Sequence, residues 1–314
     1  MSSVLITGAG GLIGRHVVEA ARNAGYSPVP VFHNSGAPRE NAVRLDLRQP
    51  LSGVPPVSAI FHLAGGYVGA GRRALEEADL AVARNVIAWG AGQGVKTWIL
   101  SSAAEVYGCI SGEASEDTPV HPIIPYGEVK VLVEEMFARV AGRVADSRVV
   151  LLRIGEVYGP ESRLLRELTL RLRRGFCPLP GLRQVALSFV HVEDVAQAFV
   201  RAAERAPHGV SIYNVADGEP ATWRAFVSCF AEKLGAHPPF SLPMPLVYAY
   251  LLGHNLGCRI RGKPTVLTRN VLRLMTTPKV LSTRRIRQEL GFRPRYANYR
   301  EGLEAAVDEL SHHA

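Results

Sequence analysis

Cysteine is scarce in this chain, and the four present, Cys109, Cys177, Cys229 and Cys258, are dozens of residues apart. No CxxC pair suggests a zinc site or a redox dithiol, and isolated reduced thiols are expected. Long apolar runs are lacking too. The most apolar late stretch, Leu246 to Leu252, is far short of the about 20 residues that span a bilayer. No basic segment precedes the apolar start at Val4, which reads as a buried strand and not as a signal peptide. A soluble, cytoplasmic protein without a membrane span is expected. Repeats and low-complexity tracts are also missing.

What is present is ordinary globular composition: 314 residues, 47% hydrophobic and 20% charged, enough for one large α/β domain with a smaller lobe. Lys and Arg (36) exceed Asp and Glu (28), giving a formal charge of +8. Much of the excess lies in Arg163 to Arg174 and Arg284 to Arg295. Neither stretch interleaves aromatic residues as a stacking surface would, so both read as solvated helix faces, and no nucleic-acid partner is expected. Attraction to an anionic substrate or a cofactor phosphate is compatible with the charge.

Short apolar runs alternate with helical patterns through the first half. The runs are Val4–Thr7, Val29–Phe32, Ala59–Ala64, Thr97–Ser101 and Arg148–Ile154; the helices cover Gly14–Ala24, Leu75–Gly92 and Tyr126–Ala141. This alternation predicts a doubly wound parallel sheet covered on both faces. After Pro160 the rhythm changes to an Arg-rich helix, a turn at Pro178–Gly181, a strand and helix over Ser188–Ala203, a helix over Thr222–Leu234 and an apolar segment from Pro238 to Leu252. A dinucleotide-binding domain over 1–160 is therefore expected, with segments near 188–217 returning to the sheet. Residues 161–187 and 218–314 would form an interleaved substrate lobe.

The strongest local signal is Val4-Leu5-Ile6-Thr7-Gly8-Ala9-Gly10-Gly11-Leu12-Ile13-Gly14, a strand running through a glycine turn into a helix. Glycines let backbone N–H groups approach a pyrophosphate at the positive end of the helix. The spacing is GxxGxxG, not GxGxxG, so the flanking strand and helix carry the cofactor reading. An acid normally ends the second strand of an NAD site. Here Phe32, His33 and Asn34 stand there, so the preference tilts slightly toward NADP over NAD, with His33 or Arg39 near a 2′-phosphate. Asp46 and Leu47 are candidates for the adenine edge, although a lone loop Asp is also a common turn or cap residue.

Tyr126 and Lys130 share a helix face at a spacing of four. An ammonium beside a phenol favours the phenolate and lowers its pKa from about 10. The pair gains meaning from the glycine turn upstream and from Ser101-Ser102 between them.

Together, TGAGGLIG, Asp46-Leu47, His62-Leu63-Ala64-Gly65, SSAAEVYG, Tyr126-Gly127-Glu128-Val129-Lys130, the Leu152–Pro160 stretch and Ser188-Phe189-Val190-His191-Val192-Glu193-Asp194 resemble an extended short-chain dehydrogenase/reductase of the NAD-dependent epimerase/dehydratase type. Tyr213 to Glu219, Trp223 and Ser282 to Pro294 extend the likeness almost to the C-terminus. The resemblance implies a Rossmann domain, with Tyr126 as general acid/base and Lys130 as its partner and ribose ligand. It further implies Gly8, Gly11, Leu12, Ile13 and Gly14 at the pyrophosphate and Asp46 and Leu47 at the adenine. Leu63, Ala64 and Gly65 would lie along the middle of the cofactor, and Ile154 and Gly155 near the nicotinamide. Relatives are often homodimers, through helices such as Leu75–Gly92 and Tyr126–Ala141. His191 is expected to be structural, and no metal is expected.

Two departures bear on chemistry. The substrate-polarising hydroxyl of relatives falls at Ala103, leaving Ser102 one place earlier as the candidate; loss of one such donor costs about 10² to 10³ in rate. Glu156 and Ser188 replace the Asn and Arg usual in nucleotide-sugar members, with Arg183 or Arg163 left as phosphate contacts. The Pro178–Gly181 turn, the Thr268–Arg273 segment and the apolar Leu242–Leu252 stretch look closest to the 3β-hydroxysteroid-dehydrogenase-like branch. The first expectation is an NAD(P)-dependent oxidoreductase interconverting a secondary alcohol and a ketone on a small, mainly apolar substrate. The alternatives are a nucleotide-sugar epimerase or dehydratase and a non-catalytic NAD(P)-binding protein.

Overall fold

The computed structural model of the chain describes residues 2–33, 42–68, 70–110, 112–181, 185–261 and 268–312; Arg39 and Arg183 lie outside them. Strand β1 (Ser3–Thr7) is buried at Val4, Leu5 and Ile6 because both faces of the sheet are covered. Helix α1 (Leu12–Asn23) turns Gly14, Val17, Val18 and Ala21 inward, at the three- and four-residue spacing of a single helical face. Next come β2 (Ser27–Phe32), β3 (Val43–Arg44) and β4 (Ala59–His62). A short α2 (Arg72–Leu75) runs through a π-helical turn at 76–80 into α3 (Ala81–Gly92). After β5 (Thr97–Ala103) and the short β6 (Glu113–Ala114), α4 (Pro125–Ala138) starts on a proline, whose missing N–H has no intrahelical partner there anyway.

Strands β7 (Arg148–Ile154) and β8 (Glu156–Tyr158) lead to α5 (Arg163–Arg173), β9 (Pro178–Pro180), β10 (Ala186–Leu187) and β11 (Phe189–His191). Helix α6 (Val192–Arg205), β12 (Gly209–Val215), β13 (Ala221–Thr222) and α7 (Trp223–Lys233) follow. The chain then forms β14 (Phe240–Leu242), α8 (Met244–Ile260), α9 (Arg269–Met275), β15 (Val280–Leu281), α10 (Arg284–Leu290) and α11 (Tyr299–His312).

Seven strands form one parallel sheet in the order β12-β7-β5-β4-β1-β2-β3. This is the doubly wound, Rossmann-like architecture expected from the alternating runs. The order reverses about β1, whose neighbours are β2 and β4, and in such sheets ligands bind beyond the strand ends at that switch. One face packs α1 and α6 through Val17, Phe61 and Phe199; the other packs α3 and α4 through Val86, Trp98 and Phe137. A separate cluster joins α5, α7 and α11, where Phe189 stacks on Phe226 at 4.2 Å.

Two local expectations differ from the structure. Pro178–Pro180 is not a turn but β9, parallel to β14, and it ends at Gly181, whose φ of +76 suits glycine. The Phe189–His191 segment pairs with β8 and not with the central sheet, whereas β12 does join that sheet, beside β7. Both Arg-rich stretches behave as solvated faces: Arg163 pairs with Glu167 along α5 while Leu165, Leu168 and Leu172 face inward, and Arg285 pairs with Asp117.

Asp217, just past β12, is buried with Oδ2 lacking a partner among the described residues. Burial pushes its carboxyl up to about 7, against the pull of the Glu219 N–H that Oδ1 accepts. The folded chain therefore keeps a proton that the unfolded chain releases near pH 4, so stability present below pH 4 falls as pH rises and is fully lost once pH passes 7. Asp217→Asn is expected to raise the melting temperature by roughly 4 °C at pH 8, with the gain shrinking toward zero at pH 4. Thermal melts across pH check it, and a gain independent of pH would contradict it.

Candidate active site

The glycine turn is held by close contacts. At the end of β1 the buried Thr7 Oγ1 lies 2.9 Å from His62 Nδ1 and accepts the N–H groups of Leu63 (3.1 Å) and Ala64 (3.2 Å). This straps the segment after β4 against the turn. Burial holds His62 neutral, with its pKa down near 3. Gly8 has φ +70, and a Cβ there would lie 2.7 Å from Ala64 N; a Cβ on Gly14 would meet Gly8 O at 2.1 Å. Gly11 caps α1 with no side-chain acceptor, and the first turn of α1 holds no acid. The N–H groups of Leu12, Ile13 and Gly14 therefore remain at a positive helix end, fitted to a pyrophosphate. Gly8, Gly11, Leu12, Ile13, Gly14, Leu63 and Ala64 are thus brought together. Thr7, which sets the approach, was not picked out from sequence because a lone strand-end threonine carries no pattern.

At the outer edge, β2 ends at Phe32, as the sequence suggested. Among the described residues a carboxylate reaches this end from after β3: Asp46 Oδ1 lies 3.8 Å from His33 Nδ1. That carboxylate also accepts the backbone N–H and the guanidinium of Arg48 (2.8–3.0 Å), and these bonds hold its pKa down near 2. Asp46 therefore serves as a turn residue here, while Leu47 is buried and its carbonyl accepts from Asn85.

The centre of the site is built on α4. Lys130 is buried and its Nζ lies 2.9 Å from Oδ1 of Asp79, itself 1% exposed on the π-helical turn. Asp79 Oδ2 accepts the N–H of Gly66 at 2.7 Å. A Cβ on Gly65 would meet Asp79 Oδ1 at 2.4 Å and Lys130 Nζ at 3.0 Å, so this glycine is required by close approach. One helical turn earlier, the half-buried Tyr126 sits with Lys130 Nζ 5.6 Å from its ring centre. Burial pushes the Tyr126 phenol above its ordinary value; Lys130 pulls it back, and Glu105, Asp79 and Glu156 push it further up. The net direction is opposite to the lowering expected from the Tyr–Lys spacing, because burial and three carboxylates outweigh one ammonium already paired with Asp79.

Ser102 points elsewhere. Its Oγ donates to Glu134 Oε1 at 2.5 Å, and Glu134 also takes a two-pronged bond from Arg153 (2.8 and 3.0 Å), all three being buried. Glu134 stands two helical turns beyond Tyr126, about 12 Å along α4. Ala103, paired with Ile154 across β5 and β7, carries no hydroxyl. Gly155 packs against the Ser188 carbonyl, 2.5 Å from where a Cβ would lie. Glu156 and Glu105 converge on Lys279 Nζ, at 2.8 and 2.5 Å. Burial opposes the Lys279 charge, but the two carboxylates overcome that and push its pKa above the ordinary lysine value. Three further residues of this region, besides Thr7, escaped the sequence reading. Glu134 was legible as the next position on the Tyr126–Lys130 face, whereas Asp79 and Lys279 come from remote segments without a signature. His191 caps α6 through Nδ1 and packs against the Tyr158 and Tyr296 rings, a structural placement.

A parallel sheet whose switch point carries the glycine turn, with a tyrosine–lysine helix beside it, defines a nucleotide-dependent enzyme class. The NAD dependent epimerase/dehydratase family model matches residues 4–216, and the chain belongs to that family. It is therefore an enzyme of the extended short-chain dehydrogenase/reductase type. Relatives include the 3-diazoavenalumate denitrifying reductase of a Streptomyces species, 30% identical over 193 residues, which span 60% of this chain and 57% of the reductase. The 3beta-hydroxysteroid-dehydrogenase/decarboxylase isoform 1 of Arabidopsis thaliana is 25% identical over 98% of this chain and 79% of its own length. Among solved structures, MoeE5 in complex with UDP-glucuronic acid and NAD superposes with a TM-score of 0.80 at 25% identity, covering 99% of this chain and 100% of that one.

Gly14→Ala tests the cradle directly. The added methyl meets the Gly8 carbonyl, so the turn must open, and binding of NAD(P)H followed by fluorescence is expected to weaken by about 100-fold or more. Unchanged affinity would contradict the placement.

Proposed function

We propose that this enzyme is an NAD(P)H-dependent reductase interconverting a ketone and a secondary alcohol on a small, mainly apolar substrate, with Tyr126 as the proton-transfer residue. The observation that carries the reading is the buried Asp79–Lys130 pair beside Tyr126, next to the glycine turn. Gly8, Gly11, Leu12, Ile13 and Gly14 bind the dinucleotide's pyrophosphate, and Leu63, Ala64, Gly65, Ile154 and Gly155 line its path toward Tyr126. Lys130 has donors beyond its contact with Asp79 for ribose hydroxyls. When bound, the dinucleotide supplies or accepts the hydride.

Tyr126 does the proton work. Its raised pKa keeps the phenol protonated near neutrality, which suits giving a proton to a carbonyl oxygen. Lys130, held by Asp79, stabilises the phenolate left behind. NADP is the favoured form: Asp46, the carboxylate that the described residues bring beside the end of β2, is taken up by Arg48, and His33 is exposed beside it.

The neighbourhood of Tyr126 also speaks to substrate. Glu105 and Glu156 put two carboxylates against one ammonium, which disfavours an anionic diphosphate there. The reductase and the hydroxysteroid dehydrogenase among the relatives agree with net redox chemistry. A nucleotide-sugar epimerase is the second reading, favoured by the whole-chain overlap with MoeE5. Homodimer formation through α3 and α4 is proposed from the family likeness alone.

Tyr126→Phe is expected to lower turnover by at least about 10³-fold while NADPH affinity stays within a few-fold; retained turnover would overturn the assignment. Because the phenol titrates above its usual range, reductive turnover is expected to stay flat from about pH 6 to 9, and oxidative turnover to climb over the same range. Ala103→Ser restores a hydroxyl at the position where Ser102 is turned away and is expected to raise turnover by about tenfold or more, read in steady-state kinetics.

A further inference from the structure

From Lys233 to Gln288 the sequence contains no aspartate or glutamate. Within this acid-free tract lies α8, which has no charged residue from Met244 to Cys258. A helix apolar all round belongs in an interior. Among the described residues the fully buried seam of α8 is Val247 and Leu251, packed on Leu272 of α9. The rest faces outward: Leu246, Tyr250, Leu252, Leu256 and Ile260 are 56–78% exposed. Phe176 and Phe240, an edge-to-face pair at the start of β14, are exposed too, Phe176 by 65%. The apolar Leu242–Leu252 stretch of the expected substrate lobe thus leaves most of its apolar side chains unpacked.

The charges around it indicate what it meets. Arg261, next to Ile260, and Arg269 and Arg273 on α9 are exposed and make no ion pair among the described residues. Other surface arginines have carboxylates in their own segment or across the surface to pair with, as Arg72 with Glu76 and Arg300 with Glu219, whereas this tract has none in its sequence. A second copy seated across a two-fold axis would set these unpaired cations against their equivalents. An anionic lipid surface would instead neutralise them while taking up the leucine, isoleucine and tyrosine side chains. We infer that α8 and α9 form a peripheral docking surface for an anionic membrane, with α8 lying in the headgroup region. Among the described residues no helix is long and apolar enough to cross a membrane, so the contact is superficial. The inference stands on α8 and the acid-free tract and does not depend on the reaction assigned above.

Sedimentation of the full chain with vesicles tests it. Binding is expected to vesicles of phosphatidylcholine with about 30% phosphatidylserine, and to be at least tenfold weaker to pure phosphatidylcholine or at about 0.5 M salt. The triple variant Leu252→Glu, Leu256→Glu, Ile260→Glu, all at exposed positions, is expected to abolish sedimentation without changing the melting temperature. Arg269→Glu with Arg273→Glu is expected to weaken it by about 25-fold or more, a factor of about 5 for each arginine removed. No sedimentation with either vesicle, equal binding to both, or a concentration-dependent dimer lost in the triple variant would overturn the inference, the last by giving this face to a second copy.

Discussion

The ion pair between Lys130 and Asp79 is the contact on which the site depends. Two charges this deeply buried are costly to hold apart, so each fixes the other, and between them they fix three pieces of chain. Asp79 brings the π-helical turn to the loop after β4 by taking the Gly66 N–H. Lys130 brings α4 to the same point, and Tyr126 is carried along one turn away. Gly65 has no side chain because the carboxylate and ammonium already occupy that space. The loop that runs beside the glycine turn and the helix that carries Tyr126 are thereby locked in one arrangement.

A second polar cluster works deeper in the same helix. Ser102, Glu134 and Arg153 tie β5, α4 and β7 together, and Arg153 lies over the ring of Tyr107, whose hydroxyl donates to Asn214 on β12. Tyr126, Lys130 and Glu134 follow one another at four-residue spacing on one face of α4, Lys130 held by Asp79 and Glu134 tying the helix to the sheet through Ser102 and Arg153. The anchoring role explains why a serine sits at position 102 although its hydroxyl does not reach toward Tyr126. It also leaves Ala103 as a real change in the chemistry of the site.

The fold was legible because its signals are periodic. Val4–Thr7, Ala59–His62 and Arg148–Ile154 are apolar runs too short for helices, and the 3.6-residue periods between them leave a parallel sheet as the simple solution. The glycine turn and the Tyr126–Lys130 pair were legible for a related reason, since both are local spacings. Contacts made by remote segments were not. Asp79 has no pattern of its own, Lys279 reaches Glu105 and Glu156 from the far end of the chain, and the Asp46 carboxylate returns to His33 by way of β3. Ordering by tertiary contact also made β9 out of a Pro-rich segment that reads as a turn. The direction of the Tyr126 shift was missed because spacing reveals the nearby ammonium but not the burial and the three carboxylates opposing it.

In the proposed reaction a hydride leaves the bound nicotinamide and stays in the product. The most direct measurement is turnover of an apolar ketone with NADPH carrying deuterium at the transferable ring position, followed by mass spectrometry of the product. One deuterium on the new carbinol carbon, with one equivalent of cofactor oxidised per product, is the expected result. Product formed without deuterium and without net cofactor oxidation, as when a hydride is returned within one turnover, would contradict the account.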